Sequence, residues 1–267
     1  MEFLEGDVLT CLKSLPDKSF ACIVTSPPYN LNIKYGEGID DRKPYDVYLA
    51  WIRDIFRECK RVMTDDGSLF LNVGYSSTQP WIAMDVAGAL RNDFVLQNQF
   101  TWVKNISIGE TSHGHFKPIN SKRFVNVTNE SVFHFTKTGD VELNRLAIGV
   151  PFMHKSNLRS RSEAKKDETK PDCRCRGNTW YVPYETIQSN AKERGGHPAS
   201  YPTQLADYCI KLCGSKGRVL DPFVGTGTTL VAAQRLGLMG TGIDINPEFL
   251  AFAKARLSGI QATSSSA

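Results

Sequence analysis

An α/β fold built on a mostly parallel sheet is what this sequence predicts, on three observations. Strand-like and helix-like segments alternate near both ends of the chain. The strand-like runs stop at proline or glycine turns, and 267 residues suffice for one domain carrying a large insertion. Hydrophobic residues at 41% and charged residues at 22% exclude a disordered chain, a coiled coil and a collagen-like fibre.

The elements follow in order. Phe20–Val24 is an apolar run that stops at Thr25-Ser26-Pro27-Pro28-Tyr29, as a buried strand would before a proline-enforced turn. From Asp46 onward, Val47, Trp51, Ile55, Cys59 and Val62 recur at helical spacing and predict an amphipathic helix. Asp65-Asp66-Gly67 is expected to end it, with Ser68–Val73 as the next strand. The middle of the chain mixes strand-like pieces such as Ser131–Thr136 with stretches of Asn, Ser, Gly and charge. Beyond it, a helix is expected over Gln204–Leu212, a strand over Arg218–Leu220 and a helix over Thr228–Leu236, closed by Gly237. A strand Thr241–Ile243 then ends at Asp244, and Asn246 caps a last helix whose first residue is Pro247. Regular structure is expected to stop at Leu257, leaving Ser258–Ala267 as a tail.

The net charge of +4 comes from 32 Lys and Arg against 28 Asp and Glu. Its distribution is more telling than its size, because His154–Arg176 holds 8 basic against 4 acidic residues and so carries the whole excess. Seven scattered cysteines read as reduced thiols. Cys173-x-Cys175 with Cys209 and Cys213 has poor spacing for zinc, so no metal site is expected. The chain has no apolar run of membrane-spanning length and opens without a secretion signal. It is expected inside the cell, in a bacterial cytoplasm or a nucleus, with no membrane partner.

Two motifs carry chemistry. Gly225-Thr226-Gly227 lies between a strand and a helix, where backbone N–H groups can face a ligand at close range. No Lys follows as a phosphate-binding loop requires, and Leu230 stands where a dinucleotide fingerprint needs its third glycine. With Asp221 before the turn and Asp244 at the end of the next strand, the arrangement suits a ligand with a cationic end and a ribose. In the second motif, Pro27 and Pro28 remove two N–H donors and leave carbonyl acceptors beside the flat face of Tyr29. Acceptors next to a stacking ring suit the exocyclic amino group of an aromatic base. A proline motif for a protein partner is the blander reading, but such motifs sit in disordered polar tracts, not behind an apolar strand.

Ser26-Pro27-Pro28-Tyr29 followed by Asp221-Pro222-Phe223-Val224-Gly225-Thr226-Gly227-Thr228-Thr229 resembles the S-adenosylmethionine-dependent DNA amino-methyltransferases. The motif order resembles their permuted, β-type arrangement. Further matching stretches are Gly67–Gly74, Glu130–Lys137, Asn178–Pro183 and His197-Pro198-Ala199. The resemblance implies a Rossmann-like class I methyltransferase fold with helices on both faces. It divides the chain into a catalytic half, 1–103, an inserted target-recognition region, 104–196, a cofactor-binding half, 197–257, and the tail 258–267.

The same resemblance implies roles. Ser26 and the Pro27 carbonyl would accept from the target amino group, with Pro28 shaping the turn, and Tyr29 would stack on a base flipped out of DNA. Phe223, Gly225, Thr226, Gly227 and Thr228 would hold the methionine end of S-adenosylmethionine, with Asp221 beside them. Asp244 would take its ribose and Asp7 its adenine. Ser rather than Asp at position 26 is the form typical of N4-cytosine enzymes, and an N6-adenine or RNA amino-methyltransferase is the alternative. A non-catalytic DNA- or cofactor-binding module is disfavoured because both motifs are intact. Arg159, Arg161, Lys165 and Lys166, with Lys122 and Arg123, are the expected DNA contacts, whereas His113 and His115 are read as surface residues. Trp180 and Tyr181 are expected to be core or pocket-wall aromatics. A homodimer is compatible with the sequence.

Overall fold

The computed structural model describes residues 1–30, 34–36, 39–40, 42–104, 106–108, 111–113, 120–152, 173–183 and 201–264, with backbone alone at 34–36, 39–40, 106–108, 111–113 and 260–264. The first half contains β1 (Glu2–Glu5), α1 (Val8–Ser14), β2 (Phe20–Thr25), β3 (Lys34–Gly36), β4 (Ile39–Asp40), α2 (Tyr45–Val62), β5 (Met63–Val73), α3 (Ile82–Ala89) and β6 (Val95–Val103). Then come β7 (Ile106–Ile108), β8 (Thr111–His113), β9 (Asn129–Thr136), β10 (Val150–Pro151), β11 (Cys173–Arg174) and β12 (Thr179–Tyr181). The last part holds α4 (Thr203–Leu212), β13 (Val219–Asp221), α5 (Thr228–Arg235), β14 (Gly240–Asp244) and α6 (Pro247–Ser264).

Eight strands form one sheet in the order β1-β14-β13-β2-β5-β9-β6-β12, and three short ribbons stand apart from it. All neighbours in this sheet are parallel except β9, which runs antiparallel to both β5 and β6. Alternation along the strands divides the core between two faces. Ile23, Leu69 and Leu71 pack with apolar residues of α1, α2 and α3, whereas Cys22, Val24 and Phe70 pack with those of α4 and α5. Both faces are covered, so the central strands read as continuous apolar runs. Helices on both sides of a mostly parallel sheet agree with the expected fold class.

The details correct several expectations. The buried stripe of α2 is Tyr48, Ile52, Ile55, Phe56, Cys59 and Val62, so Val47 lies off it and Trp51 packs partly buried against its edge. Val47 is exposed, and Trp51 turns toward the cavity described below. The helix ends at Val62, where Met63 goes extended and donates its N–H to the Cys59 carbonyl. Asp65-Asp66-Gly67 therefore belongs to β5, held by Lys18 and Lys137, which both reach Asp65. The stretch 104–196 is not simply inserted between sheet elements, because β9 lies between β5 and β6 and β12 forms the far edge. Nor does order stop at Leu257: α6 continues to Ser264, as the helix propensities of Gln261 and Ala262 allow.

Candidate active site

Because β1, β14, β13 and β2 are parallel, their carboxyl ends meet at one edge of the sheet, where ligands bind in open α/β folds. A cavity of about 250 Å³ opens there. Its walls are the segments that follow each strand: Gly6 and Asp7 after β1, Asp244–Asn246 after β14, Pro222–Thr226 after β13 and Ser26–Tyr29 after β2. Both motifs singled out in the sequence thus converge on one space.

Asp221 ties the two motifs together. Its carboxylate accepts from the Thr25 hydroxyl at 2.7 Å, the Phe223 N–H at 3.0 Å, the Thr229 hydroxyl at 2.5 Å and the Tyr201 hydroxyl at 3.2 Å. Burial pushes its pKa up to about 6 against the opposing pull of those donors. Asp221 lines the cavity, but its oxygens are engaged by the protein, so it positions the turns rather than offering an open carboxylate.

Asp244 does related work one strand over. It accepts from the Gly225 N–H at 2.9 Å and the Asn246 N–H at 2.8 Å, and desolvation raises its pKa despite these donors. The carboxylate thereby fastens the glycine turn to the end of β14. Asp7 caps α1, accepting from the N–H and the hydroxyl of Thr10, each at 3.0 Å, and remains exposed at the rim. Thr226 and Thr228 line the cavity with Gly225 and Phe223, but Gly227 does not. Gly227 caps α5 at φ 83°, and a Cβ there would lie 2.8 Å from the Cβ of Ala253. Its glycine is required by helix packing and backbone handedness, not by a ligand.

In the other turn, the Pro28 carbonyl already accepts from the Tyr48 hydroxyl at 2.8 Å. The Ser26 and Tyr29 hydroxyls lie 2.5 Å apart. Behind them Asn72 donates from Nδ2 to the Tyr29 hydroxyl at 2.9 Å and to Glu130 Oε2 at 2.6 Å, and Lys104 pairs with Glu130 Oε1 at 2.7 Å. Asn72 and Glu130 lie in the matching stretches Gly67–Gly74 and Glu130–Lys137, but local sequence assigns none of the three a role, since they are brought together by the ends of β5, β9 and β6. Lys43, Trp51, Tyr201, Asn246 and Phe249 also line the cavity without having been marked as ligand residues. Trp51 packs edge-on against Phe223 at 5.7 Å, and the Lys43 ammonium sits 5.4 Å from the Trp51 ring centre.

Of the expected DNA contacts, Arg159, Arg161, Lys165 and Lys166 lie outside the described residues, as do His115 and His197. Lys122 and Arg123 are exposed and do not line the cavity, and the Arg123 guanidinium stacks 5.0 Å from the Phe124 ring centre. Trp180 is fully buried against Phe100, whereas Tyr181 is exposed. No helix among the described residues is long and apolar enough to cross a membrane.

Comparison with known proteins agrees with this geometry. A family model described as DNA methylase matches residues 20–255. The chain is 29% identical over 263 residues to the type II methyltransferase M.ScaI of Streptomyces caespitosus, covering 94% of this chain and 79% of that one. It is 26% identical to the DNA adenine methyltransferase YhdJ of Escherichia coli, with 95% and 81% covered. Among solved structures, the PvuII DNA methyltransferase, cytosine-N4-specific, superposes with a TM-score of 0.68 at 21% identity, covering 94% and 84%. A DNA modification methylase from Thermus thermophilus complexed with S-adenosyl-L-methionine gives 0.62 at 23% identity, covering 96% and 93%.

Proposed function

This chain belongs to the DNA methylase family, and from that premise we propose that it transfers a methyl group from S-adenosylmethionine to the N4 amino group of cytosine in DNA. The observation that carries the reading is the convergence of the Ser26–Tyr29 turn and the Pro222–Thr226 turn on one cavity. The lining fits the cofactor. Asp7 and Asp244 line the cavity with one ammonium group, Lys43, and the engaged Asp221 lies behind them, a balance that disfavours phosphates and suits a cationic ligand. Trp51, Phe223 and Phe249 add apolar wall for an adenine ring.

When bound, S-adenosylmethionine supplies an electrophilic methyl group on a sulfonium. The chain's part is positioning. Gly225 and Phe223 hold the methionine end, Asp244 accepts from the ribose hydroxyls, and Asp7 accepts from the adenine amino group. Ser26 and the Pro27 carbonyl accept the two N–H bonds of the target amino group, which turns its lone pair away from the ring and toward the methyl group. Tyr29 stacks on a base that must leave the duplex to reach this depth. No protein nucleophile is needed for a direct displacement, and the Pro-Cys dipeptide of cytosine-C5 chemistry does not occur in the sequence.

Ser rather than Asp at position 26, the form typical of N4-cytosine enzymes in the family this chain resembles, supports cytosine as the target. The likeness to a DNA adenine methyltransferase supports N6 of adenine as the second reading. The basic segment 154–176, within the stretch 104–196, is the proposed DNA-facing element. Incubation with labelled S-adenosylmethionine and mixed DNA and RNA, followed by nucleoside mass spectrometry, tests the assignment. N4-methylcytosine in DNA is expected. N6-methyladenine without it overturns the base, and label in RNA alone overturns the substrate.

A further inference from the structure

We infer that Glu130 is the positioning residue that sets the direction of the Tyr29 and Ser26 hydrogen bonds, and that it receives the proton released when the target amino group is methylated. The inference rests on the amino-methyltransfer reading above and deepens it.

The argument begins with donor and acceptor inventory. Glu130 Oε2 lies 2.6 Å from Asn72 Nδ2 and 3.4 Å from the Tyr29 hydroxyl, while Oε1 takes the Lys104 ammonium at 2.7 Å. A carboxylate only accepts, and so does a carbonyl. Of the acceptors described for the Tyr29 proton, Glu130 and the Asn72 carbonyl 3.3 Å away, Glu130 brings the charge that makes the stronger partner. Asn72 Nδ2 meanwhile donates to the Tyr29 oxygen at 2.9 Å. With its own proton committed, Tyr29 faces Ser26 as an acceptor across 2.5 Å. Ser26 must then donate to Tyr29, which leaves its lone pairs for the target N–H. A hydroxyl is ambivalent by itself; the carboxylate two bonds back makes this one an acceptor.

The surroundings are built for that pairing. Side chains of Lys104 and Glu130 are only 23% and 14% exposed, and removing two charges from water is costly unless they are paired and hydrogen-bonded, as here. Gly74 leaves the space: a Cβ there would sit 3.0 Å from the Glu130 carboxylate and 3.0 Å from the Tyr29 ring.

The same chain of bonds disposes of a proton. As the nitrogen–methyl bond forms, the sulfur–methyl bond breaks and its electron pair stays on sulfur. The nitrogen is left with a positive charge and two hydrogens. One passes to Ser26 Oγ as the Ser26 proton moves to Tyr29 and the Tyr29 proton moves to Glu130 Oε2. A neutral carboxyl beside Lys104 results, and it later yields its proton to water.

The test compares wild type with Glu130→Gln in three measurements: single-turnover methyl transfer to DNA, affinity for S-adenosylmethionine by calorimetry, and rate against pH. Glutamine is isosteric but takes no proton and can present a donor to Tyr29. A rate loss of roughly a hundredfold is expected, the scale of a positioned acid–base group, with cofactor affinity unchanged. Among the described residues, the groups against Glu130 that bear charge or titrate are Lys104, next to the end of β6, and Tyr29 from the turn after β2. The wild-type rate should fall at acid pH through an ionisation that Glu130→Gln lacks. A rate equal to wild type, an unchanged pH profile, or a loss that merely follows cofactor affinity overturns the inference. If that variant does not fold, Gly74→Ala carries the test, because its Cβ would press at 3.0 Å on both the Glu130 carboxylate and the Tyr29 ring without altering charge. It should slow transfer at unchanged cofactor affinity, and an undiminished rate overturns the inference. A wild-type protein that methylates no nucleic acid fails the parent reading instead, so the two failures are distinguishable.

Discussion

The hydroxyl of Thr25 donates to the carboxylate of Asp221 across 2.7 Å, joining the last residue of β2 to the last residue of β13, 196 positions later. One buried bond thus sets the distance between the turn that would orient the base and the turn that would hold the cofactor. Thr25→Val keeps the side chain's shape but leaves an Asp221 oxygen short of a donor. It should cost about 1–3 kcal/mol in urea unfolding, the penalty for an unsatisfied buried group, and weaken cofactor binding as well. Unchanged stability would mean that a water molecule or another donor replaces the hydroxyl.

Asp221 also predicts a pH dependence with a definite sign. Its folded pKa, about 6, lies above the ordinary carboxylate value, so between about pH 4 and 6 the folded chain binds more protons than the unfolded chain. The contribution of this group to stability is therefore fully present below the ordinary carboxylate pKa. It is lost as pH rises through about 6. Asp221→Asn removes the titration. The stability of wild type relative to that variant should decline by about 3 kcal/mol over the window, measured by denaturant unfolding at several pH values. A flat difference would contradict the buried acid.

The two glycines near the ends of α5 provide a matched pair. Gly227 has φ 83° with Ala253 in the way of a Cβ, whereas Gly237 has φ 72° with nothing within 4 Å. Alanine at either position pays the left-handed backbone cost of about 1–2 kcal/mol. Only Gly227→Ala must also push α6 away, so its melting temperature should fall further than that of Gly237→Ala. Equal losses would remove the steric part of the account.

For Asp244, alanine takes the acceptor away from the N–H groups of Gly225 and Asn246 and loosens the glycine turn. Cofactor affinity should drop roughly tenfold or more, as expected for a lost charge-assisted pair of bonds. Methyl transfer at saturating cofactor should change little. Calorimetry beside single-turnover rates separates the two, and an affinity equal to wild type would remove Asp244 from the cofactor side.

The basic segment makes an electrostatic prediction. Neutralising Arg159, Arg161, Lys165 and Lys166 together should weaken DNA binding across sequences and reduce the slope of log affinity against log salt. If the slope stays the same, the segment is a solvated surface.

How much of this was legible in the chain varies with the distance over which each feature is encoded. Asn246-Pro247 and Gly237 are local punctuation, and the helix limits they mark appear where expected. The α2 stripe holds at Ile55, Cys59 and Val62 and fails at Val47, which is exposed, while Trp51 is partly buried against the core and also lines the cavity, a double role that helical spacing cannot show. Asp65-Asp66-Gly67 resembles a stop, yet it lies within β5 at a register irregularity between the Met63 and Ser68 pairs with β2, where Lys18 and Lys137 reach Asp65. The cavity-lining turns were visible because prolines and glycines announce backbone geometry. Asn72 and Glu130 fall within the matching stretches Gly67–Gly74 and Glu130–Lys137 but carry no role there, and Lys104 lies outside them, since each is an ordinary strand-end residue until antiparallel β9 brings them together.

The pairing of β1 with β14 sets the order in which the protein can become functional during synthesis. Glu2 aligns with Thr241, so β1 waits for β14, and Gly6 can bond to the Asp244 carbonyl only after that strand has emerged. A nascent chain short of that strand cannot complete the cofactor cavity, even though its Ser26–Tyr29 turn was synthesised long before. Closing so distant a contact is slow by loop-closure entropy. Acquisition of cofactor binding should therefore be a late event in folding, and bound cofactor would report that β1 has joined β14.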